Sequence, residues 1–393
     1  MTLKKALFGV VASVMMLASC SNLGEPEEII QESEDAEKET AIIPKYNISD
    51  DYYKMLVPFE TSESRGYVVQ NLNTRLDISE FETGLMRMTL DTFSTDKYYF
   101  KEGQYLDRET ISDWLERKLE GAALEAELEK DKDFKNVGLN PSKSKEGSIT
   151  EQNENSPIYL AHILEHDYLV KKDENTLELG GVSIGLALNS VHYYETEEGY
   201  PREKEIEMET IEEVGKEYAQ EIINRMRSME GLSDVPIVVA LYVQAPKSSI
   251  IPGHFFAKTV VDSGSSKIGR WSTVDEEYYV FPSTEASKNK PDDANRFTLL
   301  KGDIEEFFPN YTGVIGTAFY QNEELRQMKI DIPMQFYGKS EVIAFTQYLA
   351  GKVVEYYRED YISLEVNITS TNGEEAVIVK KPGQDEPFVH IYQ

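Results

Sequence analysis

The sequence predicts an α+β protein made of two tandem related units, each a mixed or antiparallel sheet with a packed helix, the first unit carrying a long insertion. Three observations point there. Short motifs recur at one fixed spacing. Two helical stripes sit at matching places, and each is followed by strand-like apolar runs.

The recurring motifs are "YYKMLVP" at Tyr52 with "YYVFP" at Tyr278, and "DISEF" at Asp77 with "DIEEF" at Asp303; both pairs are 226 residues apart. "VSIGLAL" at Val182 resembles "GVIGTAF" at Gly313. Val214, Tyr218, Ile222 and Met226 recur every four residues and predict a helix over 210–228; Phe345, Leu349 and Val353 do the same over 340–357. That spacing lines one helix face with apolar side chains. "VPIVVALYVQ" and "FFAKTVV" follow the first helix, "YISLEVNIT" and "FVHIY" the second, all reading as strands. About 95 residues, near 84–178, have no counterpart in the second unit. Within them Asp107 is placed to cap a helix running to Leu119, with Ile111, Trp114 and Leu115 on its apolar face. The charged stretch after it reads as a mobile loop. The expected units are therefore 46–262, a connector at 263–277, and 278–393.

The amino terminus has a different character. Lys4 and Lys5 precede an apolar run from Ala6 to Leu17, then small residues: a secretory signal pattern. The run is shorter than the roughly 20 apolar residues of a bilayer span. It ends in Leu17, Ala18, Ser19 and Cys20, the form of a bacterial lipobox, and Cys20 is the only cysteine in the chain. A single cysteine excludes an internal disulfide and a Cys-x-x-Cys zinc site. In a lipobox the thiol is alkylated with diacylglycerol, and signal peptidase II then cuts before it. Leu17, Ala18 and Ser19 supply the recognition residues for that peptidase, and Cys20 the membrane anchor. Two acyl chains such as palmitate hold stably, at about 0.8 kcal/mol per buried CH₂. The expected processing gives a signal peptide 1–19 and an anchored acidic tether 20–45, read as disordered.

Net charge is −31, and removing residues 1–19 deletes Lys4 and Lys5 and no acid, giving −33. Nucleic acid is excluded as a partner, because phosphate binding needs clustered Lys and Arg.

One segment invites a catalytic reading. "HILEH", His162 to His166, fits the His-x-x-Glu-His pattern of zinc peptidases, with Glu165 as base, if the segment is helical. No third ligand is evident, so a half-buried turn of helix is the expectation and zinc hydrolysis a minor alternative. His192, His254 and His390 fall in or beside expected strands. The acidic runs at Asp275 and Pro291 lack calcium-loop spacing. Tyr98, Tyr99 and Tyr105 are read as core rather than as a ligand groove. No catalytic residue, metal or cofactor is assigned.

The stretch from Thr95 to Lys118, "GLNP" at Gly138, "SPIYLAHILEHDYL" at Ser156, the tandem halves and the lipobox together resemble the CamS family of sex-pheromone precursor lipoproteins of Gram-positive bacteria. The resemblance implies an α+β fold of two related units. It also implies that the end of the signal peptide is trimmed to a short mating signal; here that segment is Ser13, Val14, Met15, Met16, Leu17, Ala18 and Ser19. The expected location is the extracytoplasmic face of the cell membrane, with the peptide released. The expected partners are the membrane and the lipoprotein-processing enzymes. The alternative expectation makes the body primary, as a binding lipoprotein for a peptide or wall glycan, with its groove between the units or beside the insertion.

Overall fold

The computed structural model describes residues 27–32, 38–44, 48–49, 52–143, 146–307, 313–336 and 338–393. The signal, the lipobox and the pheromone-like segment lie outside them. In chain order the elements are β1 (Glu27–Glu32), β2 (Lys38–Ile43), β3 (Lys54–Met55), α1 (Val68–Asn71), α2 (Arg75–Thr89), β4 (Tyr99–Glu102), α3 (Arg108–Leu115), α4 (Gly121–Lys130), α5 (Ile149–Asn155), β5 (Leu160–Lys171) and β6 (Thr176–Asn189). They continue as β7 (Val191–Glu195), β8 (Pro201–Glu205), α6 (Met208–Met226), β9 (Ile237–Gln244), β10 (His254–Val261), β11 (Ser272–Thr273), β12 (Glu276–Phe281), α7 (Thr284–Asn289) and α8 (Pro291–Phe307). The chain ends with β13 (Ile315–Gln321), β14 (Glu324–Pro333), α9 (Lys339–Tyr356), β15 (Ser363–Ser370), β16 (Gly373–Lys380) and β17 (Phe388–Ile391).

Two mixed sheets result. The first runs β11-β10-β9-β6-β5-β4-β3, with β1 added beside β6 and β2 beside β1; the second runs β12 to β17 in order. Both contain the same run: an antiparallel hairpin, a crossover helix, a parallel strand and an antiparallel strand. In the first these are β5–β6, α6, β9 and β10. In the second they are β13–β14, α9, β15 and β16. A parallel neighbour requires such a crossover, which the two apolar stripes supply.

The periodicities predict both crossover helices within two residues of their ends. Ile211, Ala219, Ile222, Ile223 and Met226 of α6 pack on Val182, Ile184, Leu186 and Leu188 of β6. The opposite face of the same sheet takes α2, whose Phe81, Leu85 and Met88 meet Ala187, Ala240, Tyr242 and Phe255. β6 is small on that side: a Cβ on Gly185 would come within 2.9 Å of the Phe81 ring. In the second sheet α8 and α9 share one core, with Phe297, Leu300 and Ile304 beside Val342, Phe345 and Leu349.

Several expectations shift. By its place in the sheet, the strand at Val182 answers to β14, and the strand after Gly313 answers to β5. The stretch near 84–178 supplies two strands of the first sheet, since β4 and β5 pair within it. Asp77 sits in the first turn of α2, buried, taking bonds from Tyr242 Oη and the N–H groups of Ala245 and Gly253. Asp303 lies near the far end of α8 and meets Tyr356 Oη and Lys352 Nζ. The similar pentapeptides therefore do different work.

Described parts of the tether are ordered, where disorder was expected: β1 and β2 pair antiparallel, and Ile30 and Gln31 pair with Thr176 and Leu177 at the start of β6. Buried Ala41 and Ile43 join Leu56, Leu169 and Leu177, and that apolar contact outweighs the acidic composition. The charged loop is also partly built. α4 runs into its start, α5 lies in it, and Ser148 and Glu151 close a reciprocal capping box on α5. Asp107 caps α3 as the sequence predicts, accepting from Thr110 N at 2.7 Å.

One buried ion cluster joins the sheets. Arg87 of α2 donates from Nε and Nη2 to the two carboxylate oxygens of Glu276 on β12, at 2.8 and 2.9 Å, and also bonds Glu80. Its guanidinium lies 4.6 Å from the Phe319 ring centre. Burial outweighs the Arg87 charge at Glu80 and pushes that carboxyl above its usual range. Removing one partner of such a group leaves buried charge uncompensated. Arg87→Met is therefore expected to lower unfolding free energy by about 3–5 kcal/mol, read as a lower urea midpoint. A loss below about 1 kcal/mol, the range of an exposed pair, would contradict this.

Candidate functional site

The segment expected as a turn of helix is the middle of β5. His162, Glu165, His166 and Asp167 are all buried there. In a helix, residues four apart share a face at a rise of about 6 Å. In a strand they are about 13 Å apart, and residue i+3 points to the other face. His162 and His166 therefore cannot converge with Glu165 on one ion. Among the described residues, no group of three or more His, Cys, Asp or Glu is placed to hold a metal.

The two faces of β5 do different things. On one, Glu165 and Asp167 meet the loop after β4: Glu165 Oε2 accepts from Leu106 N at 2.7 Å, and Asp167 Oδ2 from Gln104 N at 3.0 Å. Gly103 permits this approach, since a Cβ there would fall 2.5 Å from the Glu165 side chain. Burial pushes Glu165 up to about 7, against the pull of the backbone N–H groups. Asp167 is raised well above the usual range, by burial and then by the Glu165 charge. Two such carboxyls cannot both ionise cheaply, so the pair keeps a proton near neutrality.

On the other face His162, Leu164 and His166 form the floor of a cavity of about 200 Å³. Its roof is the 62–69 segment, and Ile78 and Glu82 of α2 close one side. Glu102 of β4 pins the roof, accepting from Ser62 N at 2.7 Å and facing Arg65 Nε at 3.4 Å. Asn71 Nδ2 lies 3.3 Å from His162 Nδ1. His166 packs edge-on to Phe100, and its Nδ1 has no hydrogen-bond partner. Burial pulls both imidazoles down, His162 to about 4 and His166 to about 3, so both are neutral at pH 7. A second, wider groove of about 780 Å³ lies between α6 and the 118–142 segment. Tyr159 and Tyr218 line it.

The remaining sequence candidates are structural. His192 is buried in β7 with its Nε2 3.2 Å from Asn153, His254 lies in β10, and His390 is exposed on the edge strand β17. Tyr98, Tyr99 and Tyr105 pack against core clusters, as expected. Of the acids in the runs at Asp275 and Pro291, Glu276 binds Arg87 and Asp293 accepts from Tyr320 Oη at 2.8 Å. Sequence reasoning missed Ser62, Ser64, Arg65, Glu82 and Glu102. They carry no motif; only folding of the roof onto β5 brings them together.

Fold and site define a mixed-sheet α+β protein with a small polar-ended slot over a buried strand. The chain belongs to the CamS family: the family described as "CamS sex pheromone cAM373 precursor" matches residues 59–386. The C-terminal domain of the sex pheromone staph-cAM373 precursor from Staphylococcus aureus is 30% identical, with a TM-score of 0.71 over 82% of this chain and 98% of that one. A sex pheromone precursor from Lactobacillus salivarius subsp. salivarius UCC118 is 31% identical, with a TM-score of 0.76 over 89% of this chain and 98% of that one. No curated protein matches. Among the described residues no helix is long and apolar enough to cross a membrane.

The pH dependence of stability follows from β5. His162, His166 and His192 have depressed folded values, so their contribution is complete above the unfolded value near 6.5 and is lost as pH falls. The carboxyl pair has raised folded values, so its contribution is present at low pH and is lost as pH rises through them. Between pH 6.5 and 9 only the pair changes among these groups. The melting temperature is expected to fall over that window in the wild type and to fall less steeply in Asp167→Asn, where Glu165 alone still titrates. Equal slopes in the two proteins would refute the assignment.

Proposed function

We propose that the chain is the precursor of two products: a short apolar signal peptide from Ser13–Ser19, and a body anchored by diacylglycerol on Cys20 at the extracytoplasmic face of the membrane. The observation that carries this reading is membership of a sex pheromone precursor family together with Leu17-Ala18-Ser19-Cys20 at the end of a basic-then-apolar leader. The chemistry is a thiol nucleophile at the first mature residue, small residues before it, and an apolar residue at the third position back. The body has no assigned reaction. A −33 surface is repelled by anionic headgroups, so retention at the membrane rests on the acyl chains.

A second reading, that the body binds a peptide or wall glycan, is favoured by the groove along α6. It lies beside the insertion, and the Tyr159 and Tyr218 hydroxyls in it bond to no described residue.

Mass spectrometry of spent medium tests the first reading. Wild-type cells are expected to release the Ser13–Ser19 mass, and cells carrying Cys20→Ala to lose it. Medium lacking that peptide while the body is processed normally would leave Cys20 as an anchor alone.

A further inference from the structure

The slot over β5 has a composition that its structural neighbours do not use up. Its middle is apolar: Leu164 below, with Val68, Val69 and Ile78 opposite. Val69 is 63% exposed at the rim, where an apolar side chain gains from a partner. The slot has spare polar capacity. Arg65 touches Glu102 through Nε only, and its side chain is 55% exposed, which leaves the outer nitrogens for another acceptor. Ser62 and Ser64 hydroxyls lie 2.9 Å apart beside it. Glu82 makes no hydrogen bond or ion pair with a described residue, and its carboxyl is held above the usual range by burial and then by Glu102. At the floor, His166 is 1% exposed and its Nδ1 is unpartnered, an arrangement that costs on the order of 1–3 kcal/mol unless a guest or water satisfies it.

We propose that this slot binds a small zwitterion with an apolar side chain, an amino acid of the leucine type or a dipeptide of such residues. Arg65 with Ser62 and Ser64 receives the carboxylate. Glu82 receives the ammonium. Leu164, Val68, Val69 and Ile78 hold the side chain, and His166 bonds a polar atom of the guest. The volume fits: about 200 Å³ is below the 300–1,000 Å³ of sites for drug-sized ligands and suits a guest of amino-acid size. Neutral imidazoles suit it too, because each donates one hydrogen bond and accepts one without adding charge.

Titration calorimetry on the full chain separates the two ends of the guest. The probes are L-leucine, L-leucyl-L-leucine, N-acetyl-L-leucine, which lacks the ammonium, and L-leucinamide, which lacks the carboxylate. Binding is expected for one or both zwitterions, weakened on the order of tenfold or more for each blocked form. Arg65→Ala should weaken leucine but not leucinamide, and Glu82→Gln should weaken leucine but not acetyl-leucine. Both side chains are exposed at the mouth, so both variants are expected to fold. The nitrogen resonances of His166 should move on binding. No heat and no His166 shift with any probe would overturn the proposal. So would binding that both variants leave unchanged.

Discussion

The guanidinium of Arg87 is held between Glu80 and Glu276, and the placement of everything around it follows from that. A charge removed from water is tolerated only beside its counter-charge, with hydrogen bonds in good geometry. Arg87 meets Glu276 through two parallel bonds, the arrangement that fixes direction as well as distance. Because Glu276 begins the first strand of the second sheet, the contact sets that sheet against α2. Phe319 covers the cation, and Gln321 bonds the same carboxylate from the neighbouring strand. The helix fixed in this way also carries Phe81 into the first core, and Ile78 and Glu82 to the slot over β5. A change in the angle of α2 would open the slot and misplace the core together.

β5 is the second organising feature. A strand with His162, Glu165, His166 and Asp167 buried within six residues is costly unless each face has a purpose. One face is answered by successive backbone N–H groups of Gln104, Tyr105 and Leu106, made close by Gly103. The other is answered incompletely, and the incompleteness coincides with a cavity. His162–His166 in a helix would present the two histidines and no slot. Secondary structure, more than residue identity, decides what this motif can do.

That is also where sequence reading reached its limit. Apolar stripes at a spacing of four predicted α6 and α9, because one buried face dominates each pattern; a continuous apolar run predicted β9, which is buried on both faces, and an alternating run predicted β15. The Asp107 cap was legible because it needs only local geometry. The Ser148–Glu151 capping box was equally local, and the charge around it concealed it. "HILEH" misled because histidine and glutamate carry no period, and the apolar residues between them fit helix and strand alike. β16 went unread: its "GEEAVIVK" begins with acids and a turn. The slot was not legible at all. Arg65, Glu82, Glu102 and His166 are up to about 100 residues apart in sequence, and only the sheet brings them together.

The proposed junction between the two products is the Ser19–Cys20 bond. The intact mass of the protein extracted from the membrane fraction addresses that junction most directly. A body beginning at Cys20 and carrying two acyl chains on a glyceryl thioether is the predicted result. A body beginning at any other residue, or beginning at Cys20 without acyl chains, would contradict it.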